Sequence, residues 1–100
     1  MANLIANKIT NDFLTSSGGL AIGKSIESII KNDPLNKIEI SFSGVKNVTP
    51  SFVNGAFLYL IDNYGVDYFR ENIKVVNASA EVAKIIGNSV RVYLNWKNSF

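Results

Sequence analysis

Cysteine and histidine are both missing from the 100 residues, and each absence removes chemistry. Without cysteine there is no disulfide framework, no thiolate nucleophile and no zinc–thiolate site. Without histidine, the side chain that most often serves as general base and metal ligand is gone. The eight acidic residues include no close pair expected to share a site. A Ser–Lys arrangement of Ser16 or Ser17 with Lys24 can be drawn, but an ordinary helix cap beside a solvated lysine accounts for the same residues. Proline is scarce, at two residues, and no Pro-rich, Gly-rich or low-complexity tract marks a linker. No apolar run approaches the ~20 residues that a membrane-spanning helix needs. The start, MANLIANKIT, lacks the basic opening and long apolar stretch of a secretory signal. These absences predict a cytoplasmic protein without metal, cofactor or membrane association, and they argue against an enzyme.

What is present is an ordinary globular composition, 47% hydrophobic and 18% charged, enough for one domain over residues 1–100 that folds unaided. The net charge is +2 and the isoelectric point about 9.0. The ten basic residues are nevertheless scattered singly along the chain. Nucleic-acid binding would gather them on one face with stacking aromatics nearby, so nucleic acid is not an expected partner.

Hydrophobic periodicity predicts alternating strands and helices. Residues 3–9 read as an edge strand. A helix follows, capped by Ser16 or Ser17, with Ile22, Ile26, Ile29 and Ile30 on one stripe and Asn32-Asp33-Pro34 as its stop. In residues 37–43, Ile38, Ile40 and Phe42 alternate with Glu39, Ser41 and Ser43, which is a strand with one buried and one polar face. Thr49 suits a helix N-cap and Pro50 the first helical position. Val53, Ala56, Phe57, Leu60, Ile61 and Tyr64 then form the best amphipathic stripe of the chain, ending at Gly65. Phe52, Leu58 and Tyr59 lie off that stripe and are candidates for apolar surface.

Residues 73–77 read as another strand and 78–86 as a short helix capped by Ser79 and ended by Gly87-Asn88. Val90, Val92, Leu94 and Trp96 alternate with Arg91, Tyr93, Asn95 and Lys97, predicting a closing strand. A continued helix competes, because Val82, Ile86, Ser89, Val90 and Tyr93 also share a helical face. The resulting β-α-β-α-β-α-β order implies an α/β domain with a mostly parallel sheet. An open edge at residues 90–96 would allow pairing into a homo-oligomer.

Gly18-Gly19-Leu20-Ala21-Ile22-Gly23-Lys24-Ser25 satisfies G-x-x-x-x-G-K-[ST], in which amides and the lysine hold phosphates and the hydroxyl ligates magnesium. An alternative function is therefore a small nucleotide-binding protein or NTPase using Gly18, Gly23, Lys24 and Ser25. Residues 57–62, an apolar run ending in Asp62, would be its magnesium-supporting partner. The context disagrees: no buried strand precedes the motif, Leu20, Ala21 and Ile22 are poor residues for a tight loop, and residues 57–62 carry a helical period.

Residues 38–57, IEISFSGVKNVTPSFVNGAF, resemble the central part of the STAS-like domain of unknown function, related in pattern to the anti-sigma-factor antagonists. The shared features are an apolar strand, Phe-Ser-Gly-Val, a short loop, and Thr/Ser-Pro-Ser-Phe opening a helix. Flanking agreement extends the likeness over residues 13–86. It implies a mixed, mostly parallel sheet of four to five strands with helices mainly on one face. By resemblance the chain is a regulatory signalling module that binds a protein partner, of which a histidine-kinase-type ATPase is the foremost class. Ser51 falls at the position phosphorylated in the antagonists, with Thr49 beside it. Ser43, Gly44, Val45, Pro50, Phe52, Leu58 and Tyr59 are the expected contact residues. The pattern departs from its relatives at Val53-Asn54-Gly55, where acidic residues are usual, and Gly55 in a helix suggests close approach by a neighbour.

Overall fold

The computed structural model describes residues 1–98. Strand β1, Ala2–Ile5, leads into a single helical turn, α1, Ala6–Ile9. Helix α2 spans Ser16–Asn32 and strand β2 Ile38–Ser41. Helix α3, Pro50–Val53, passes through a π-helical turn, Asn54–Leu58, into α4, Tyr59–Tyr64, as one uninterrupted run. Helix α5, Val66–Asn72, is followed by strand β3, Ile73–Val76, and helix α6, Ala80–Asn98.

The three strands pair in parallel in the order β1-β2-β3. Ala2, Ile38 and Ile73 stand side by side, as do Leu4, Ile40 and Val75. These rows face the helices and join one core with Ile22, Ile26, Phe52, Phe57, Val82 and their neighbours. The intervening rows, Asn3-Glu39-Lys74 and Ile5-Ser41-Val76, lie on the other face of the sheet, where Glu39 and Ser41 are only partly covered. The alternation read in β2 is thus the cross-section of a two-layer fold.

The sheet has three strands, which corrects the expected four to five. The predicted first strand stops at Ile5, because Ala6 turns inward to full burial and Thr10 N–H closes a turn on the Ala6 carbonyl at 3.1 Å. The predicted closing strand at 90–96 is helix, so the open edge expected there is not formed. Ser79 Oγ accepts from Val82 N–H at 3.2 Å and starts α6 as foreseen, but Gly87 does not end it. One glycine costs a helix only ~1 kcal/mol, no proline follows, and a helix satisfies its backbone without a neighbouring strand. Helix α5 was not foreseen. Its Phe69 ring packs on Phe57 at 5.7 Å, and Tyr68 Oη donates to the Pro34 carbonyl at 2.6 Å. The cap of α2 is Thr15, whose Oγ1 accepts from Gly18 N–H at 3.3 Å, and not Ser16 or Ser17.

Helices α2 and α3–α4 approach closely enough to exclude side chains. A β-carbon on Gly19 would stand 2.0 Å from the Phe52 carbonyl oxygen, and one on Gly55 would stand 2.2 Å from that of Ser16. On Gly23 it would lie 2.9 Å from the Gly55 oxygen. All three distances are below any real contact, so the backbones would have to move apart. Gly87, in α6, has nothing within 4 Å of the same construction.

Gly19→Ala is expected to destabilise the chain by ~1–3 kcal/mol through overpacking. Gly87→Ala is expected to stabilise it by up to ~1 kcal/mol through helix propensity. Urea unfolding followed by circular dichroism reads both, and equal midpoints for the two variants would refute this account of the glycines.

Candidate protein-binding surface

Ligands of parallel α/β sheets approach the carboxyl ends of the strands, and here those ends carry a polar cluster. Ser41 Oγ accepts from Ser43 N–H at 3.2 Å and from Asn77 Nδ2 at 3.1 Å. Asn7 Nδ2, just past β1, donates to the Ser43 carbonyl at 3.1 Å. Asn77 has φ of 57° and Gly44 φ of 79°, backbone conformations that asparagine and glycine tolerate best. Two other chain segments, those following β1 and β3, are in this way tied to the end of β2 and the start of its loop.

The loop, residues 42–49, is anchored from inside. Phe42, Val45 and Val48 are buried, leaving Ser43, Gly44, Lys46 and Asn47 exposed. Its far end is Thr49, whose Oγ1 accepts from Phe52 N–H at 3.2 Å and donates to the Leu14 carbonyl at 2.7 Å. Thr49 N–H adds a bond to the Phe13 carbonyl at 3.3 Å. The Thr49 hydroxyl is therefore spent on structure. Ser51, two residues on, is exposed, and its side chain has no hydrogen-bond partner among the described residues.

The expected contact residues separate into exposed ones beside the phosphorylation candidate Ser51, buried ones, and Tyr59, which is half-buried against α2. Ser43, Gly44, Pro50 and Ser51 are exposed together around this loop and helix start. Val45, Phe52 and Leu58 are buried, a correction to their expected place on the surface. Phe52 is 0% exposed because it sits between Phe13 and Phe42, with ring centroids 5.3 and 6.3 Å away. The π turn, in which Tyr59 N–H reaches back to the Asn54 carbonyl, inserts an extra residue into the helical repeat. Phe57 keeps its contacts with Phe42 and Phe69, while Leu58 turns to α6. There it lines a groove of about 410 Å³ with Pro50, Asn54, Asn88, Ser89, Val92 and Tyr93. On the groove's α6 side, Tyr93 Oη donates to Asp62 Oδ1, and Lys97 Nζ lies 3.5 Å from the same carboxylate.

Tyr59 faces α2. Its hydroxyl donates to Glu27 Oε1 at 2.8 Å, and Tyr64 Oη donates to Glu27 Oε2 at 3.1 Å. Glu27 is the one buried charged residue among the described residues. Lys24 Nζ stands 3.8 Å from its carboxylate and 5.2 Å from the centre of the Tyr59 ring. The Tyr59 hydrogen bond holds the Glu27 carboxyl below its ordinary pKa against the opposing effect of burial. Burial, followed by the bond to Glu27, raises the Tyr64 phenol. This cluster stitches α2 to α4, and no local pattern in the sequence signals it.

The sequence motif at 18–25 lies wholly within α2. The Gly18 amide donates to the capping Thr15 Oγ1 and the Gly19 amide to the Thr15 carbonyl, Ser25 Oγ donates to the Ala21 carbonyl at 3.0 Å, and Lys24 faces Glu27 and Tyr59. Gly18, Gly23, Lys24 and Ser25 are thus not arranged as a phosphate-cradling loop. Gly18 and Gly23 stand where neighbouring backbone leaves no room for a side chain. Among the described residues no group of His, Cys, Asp or Glu is placed to hold a metal ion, and no helix is long and apolar enough to cross a membrane.

A parallel sheet covered by helices on one face, with a pinned loop and a capped helix start at its carboxyl edge, defines a small two-layer α/β domain with a presented turn. The chain belongs to the family of STAS-like domains of unknown function, whose family model matches residues 23–83. No curated protein and no solved structure matches it.

Glu27 carries a testable consequence. A carboxylate whose folded pKa is depressed contributes stability that is full above its unfolded value, near 4.5, and is lost as the pH falls through the folded one. Glu27→Gln should therefore flatten the acid side of the stability profile while lowering stability at neutral pH. Chemical denaturation from pH 7 to pH 3 measures this, and a variant profile parallel to the natural one would exclude Glu27 as its source.

Proposed function

We propose that the chain is a non-enzymatic regulatory module that binds a protein partner through the loop at 43–48 and the helix beginning at Pro50. One observation carries this reading: Ser51 is exposed in the first turn, while Thr49 is committed to capping and to the Leu14 carbonyl. Membership of a STAS-like family supports a regulatory, interaction-based role. A histidine-kinase-type ATPase is the partner class that fits, with phosphorylation of Ser51 as the switch. A phosphate there would meet the positive end of the helix dipole and would place about two negative charges on the contact surface. The effect on the domain's own stability is small and the effect on an acidic partner surface is large.

The reading is tested with a purified ATPase of this type and labelled Mg-ATP. Label is expected on Ser51, abolished by Ser51→Ala and retained in Thr49→Ser. Ser51→Asp should weaken partner binding at least tenfold, with an unchanged melting temperature. Label confined to Thr49, or equal binding by both Ser51 variants, would remove the switch. Calorimetry of the isolated chain with Mg-ATP addresses the alternative nucleotide-binding role. Micromolar binding lost in Lys24→Ala would replace the proposed function, and absence of heat in both proteins agrees with it.

A further inference from the structure

A second groove, about 460 Å³ in volume, runs between α5 and the distal half of α6. Phe69, Ile86, Val90 and Leu94 give it an apolar floor, and Arg70 and Arg91 stand at it, one on each helix. Both arginines are exposed. Among the described residues neither forms an ion pair; those present there are Lys24–Glu27 and Lys97–Asp62. The Arg91 guanidinium donates to the Asn88 amide oxygen at 2.9 Å. Asp67 and Glu71 flank Arg70 on α5 without coming within ion-pair distance, and neither lines the groove. The groove therefore combines an apolar trough with two guanidinium groups whose planar forks suit carboxylates.

We infer that this groove receives an acidic amphipathic helix of a protein partner, its apolar side on Phe69, Val90 and Leu94 and its carboxylates on Arg70 and Arg91. Charge complementarity selects the occupant. Two arginines without an ion pair among the described residues, beside a trough bounded by helices, match a helix with apolar anchors at i, i+3, i+4 and i+7 and acids alongside. A membrane surface calls for a larger cluster of some four to eight basic residues. A second copy is disfavoured by like charge, since Lys84, Arg91 and Lys97 outnumber the single acid of α6, Glu81. The groove is distinct from the Ser51 surface. Its α6 wall, Val90, Arg91 and Leu94, also lies beyond residues 23–83, the part of the chain matched by the family model. Only the α5 wall, Phe69 and Arg70, falls within the matched segment.

The test is selection of a random peptide library, displayed on phage, against the full chain and against an Arg70→Glu, Arg91→Glu double variant. Enrichment of peptides with leucine-like residues at helical spacing and flanking Glu or Asp is expected. Synthetic versions should bind the natural chain at least tenfold more tightly than the double variant in fluorescence anisotropy. Leu94→Asp should give a comparable loss. All three substitutions are at solvent-accessible positions, and melting temperatures check that the fold is kept. Peptides that bind the double variant equally well, or no enrichment, would overturn the inference. So would Arg-dependent sedimentation with phosphatidylglycerol vesicles, which would reassign the groove to membrane. A dimer in light scattering that Leu94→Asp dissociates would reassign it to a second copy.

Discussion

The fold depends on how closely two helices meet. Gly19 and Gly23 on α2 face Gly55 and Ala56 on the run from Pro50 to Tyr64, and the carbonyl oxygens of Ser16 and Phe52 occupy the space a side chain would need. This contact sets the distance between the two helices that cover the sheet. Buried Phe42, Phe52 and Phe57 then fill the layer beneath, their rings about 6 Å apart, a spacing at which tilted and edge-on aromatic contacts are favourable. The Glu27–Tyr59–Tyr64 cluster, on the same pair of helices, adds direction to a contact that small residues alone would leave free to slide.

The same contact places the presented turn. Thr49 binds the carbonyl of Leu14 and its amide binds that of Phe13, so the segment entering α2 and the start of α3 are held together. Asp12 in turn accepts from the amides of Leu14 and Thr15 and from the Thr15 hydroxyl, and Thr15 caps α2. A chain of short-range caps links the amino ends of both helices. Such a frame holds Ser51 and the exposed loop residues in fixed relation to the sheet edge, which would limit the ordering cost of the proposed partner binding.

How much of this was legible in the sequence follows from the range of each interaction. The stripe from Val53 to Tyr64, the cap at Thr49 and the alternation of β2 are local patterns, and the structure reproduces them. The end of α6 was not legible, because Val, Tyr and Trp in alternation satisfy a strand as well as a helix, and only tertiary surroundings decide. Burial of Phe52 and Leu58 was misread for a related reason. A single stripe assumes one packing partner, whereas this helix lies against α2, the sheet and α6 at once, and its π turn alters the repeat in the middle. The glycines of the phosphate-loop pattern were informative about spacing but not about purpose. A tight loop and a close helix crossing both demand glycine, and the distinction lies in what stands opposite.

The two proposed surfaces differ in what they demand of the chain. The Ser51 turn is built from the sheet, the loop and the α2 contact, all but β1 and the first turns of α2 within the segment that identifies the family. The arginine-flanked groove needs Phe69 and Arg70 of α5 and also that α6 continue past Gly87, where its apolar positions have little left to cover. Val82 and Ile86 are buried in the core, whereas Val90 and Leu94, which line the groove, are only partly covered. A helix that served only to close the core could end near Gly87. Extending it for three further turns exposes apolar side chains to water, a cost that burial against a partner would reverse at ~25 cal/mol per Å² of covered apolar surface. If both proposals hold, the proposed Ser51 surface and the groove between α5 and α6 can change independently, since changes at Val90, Arg91 and Leu94 leave the glycine contact untouched.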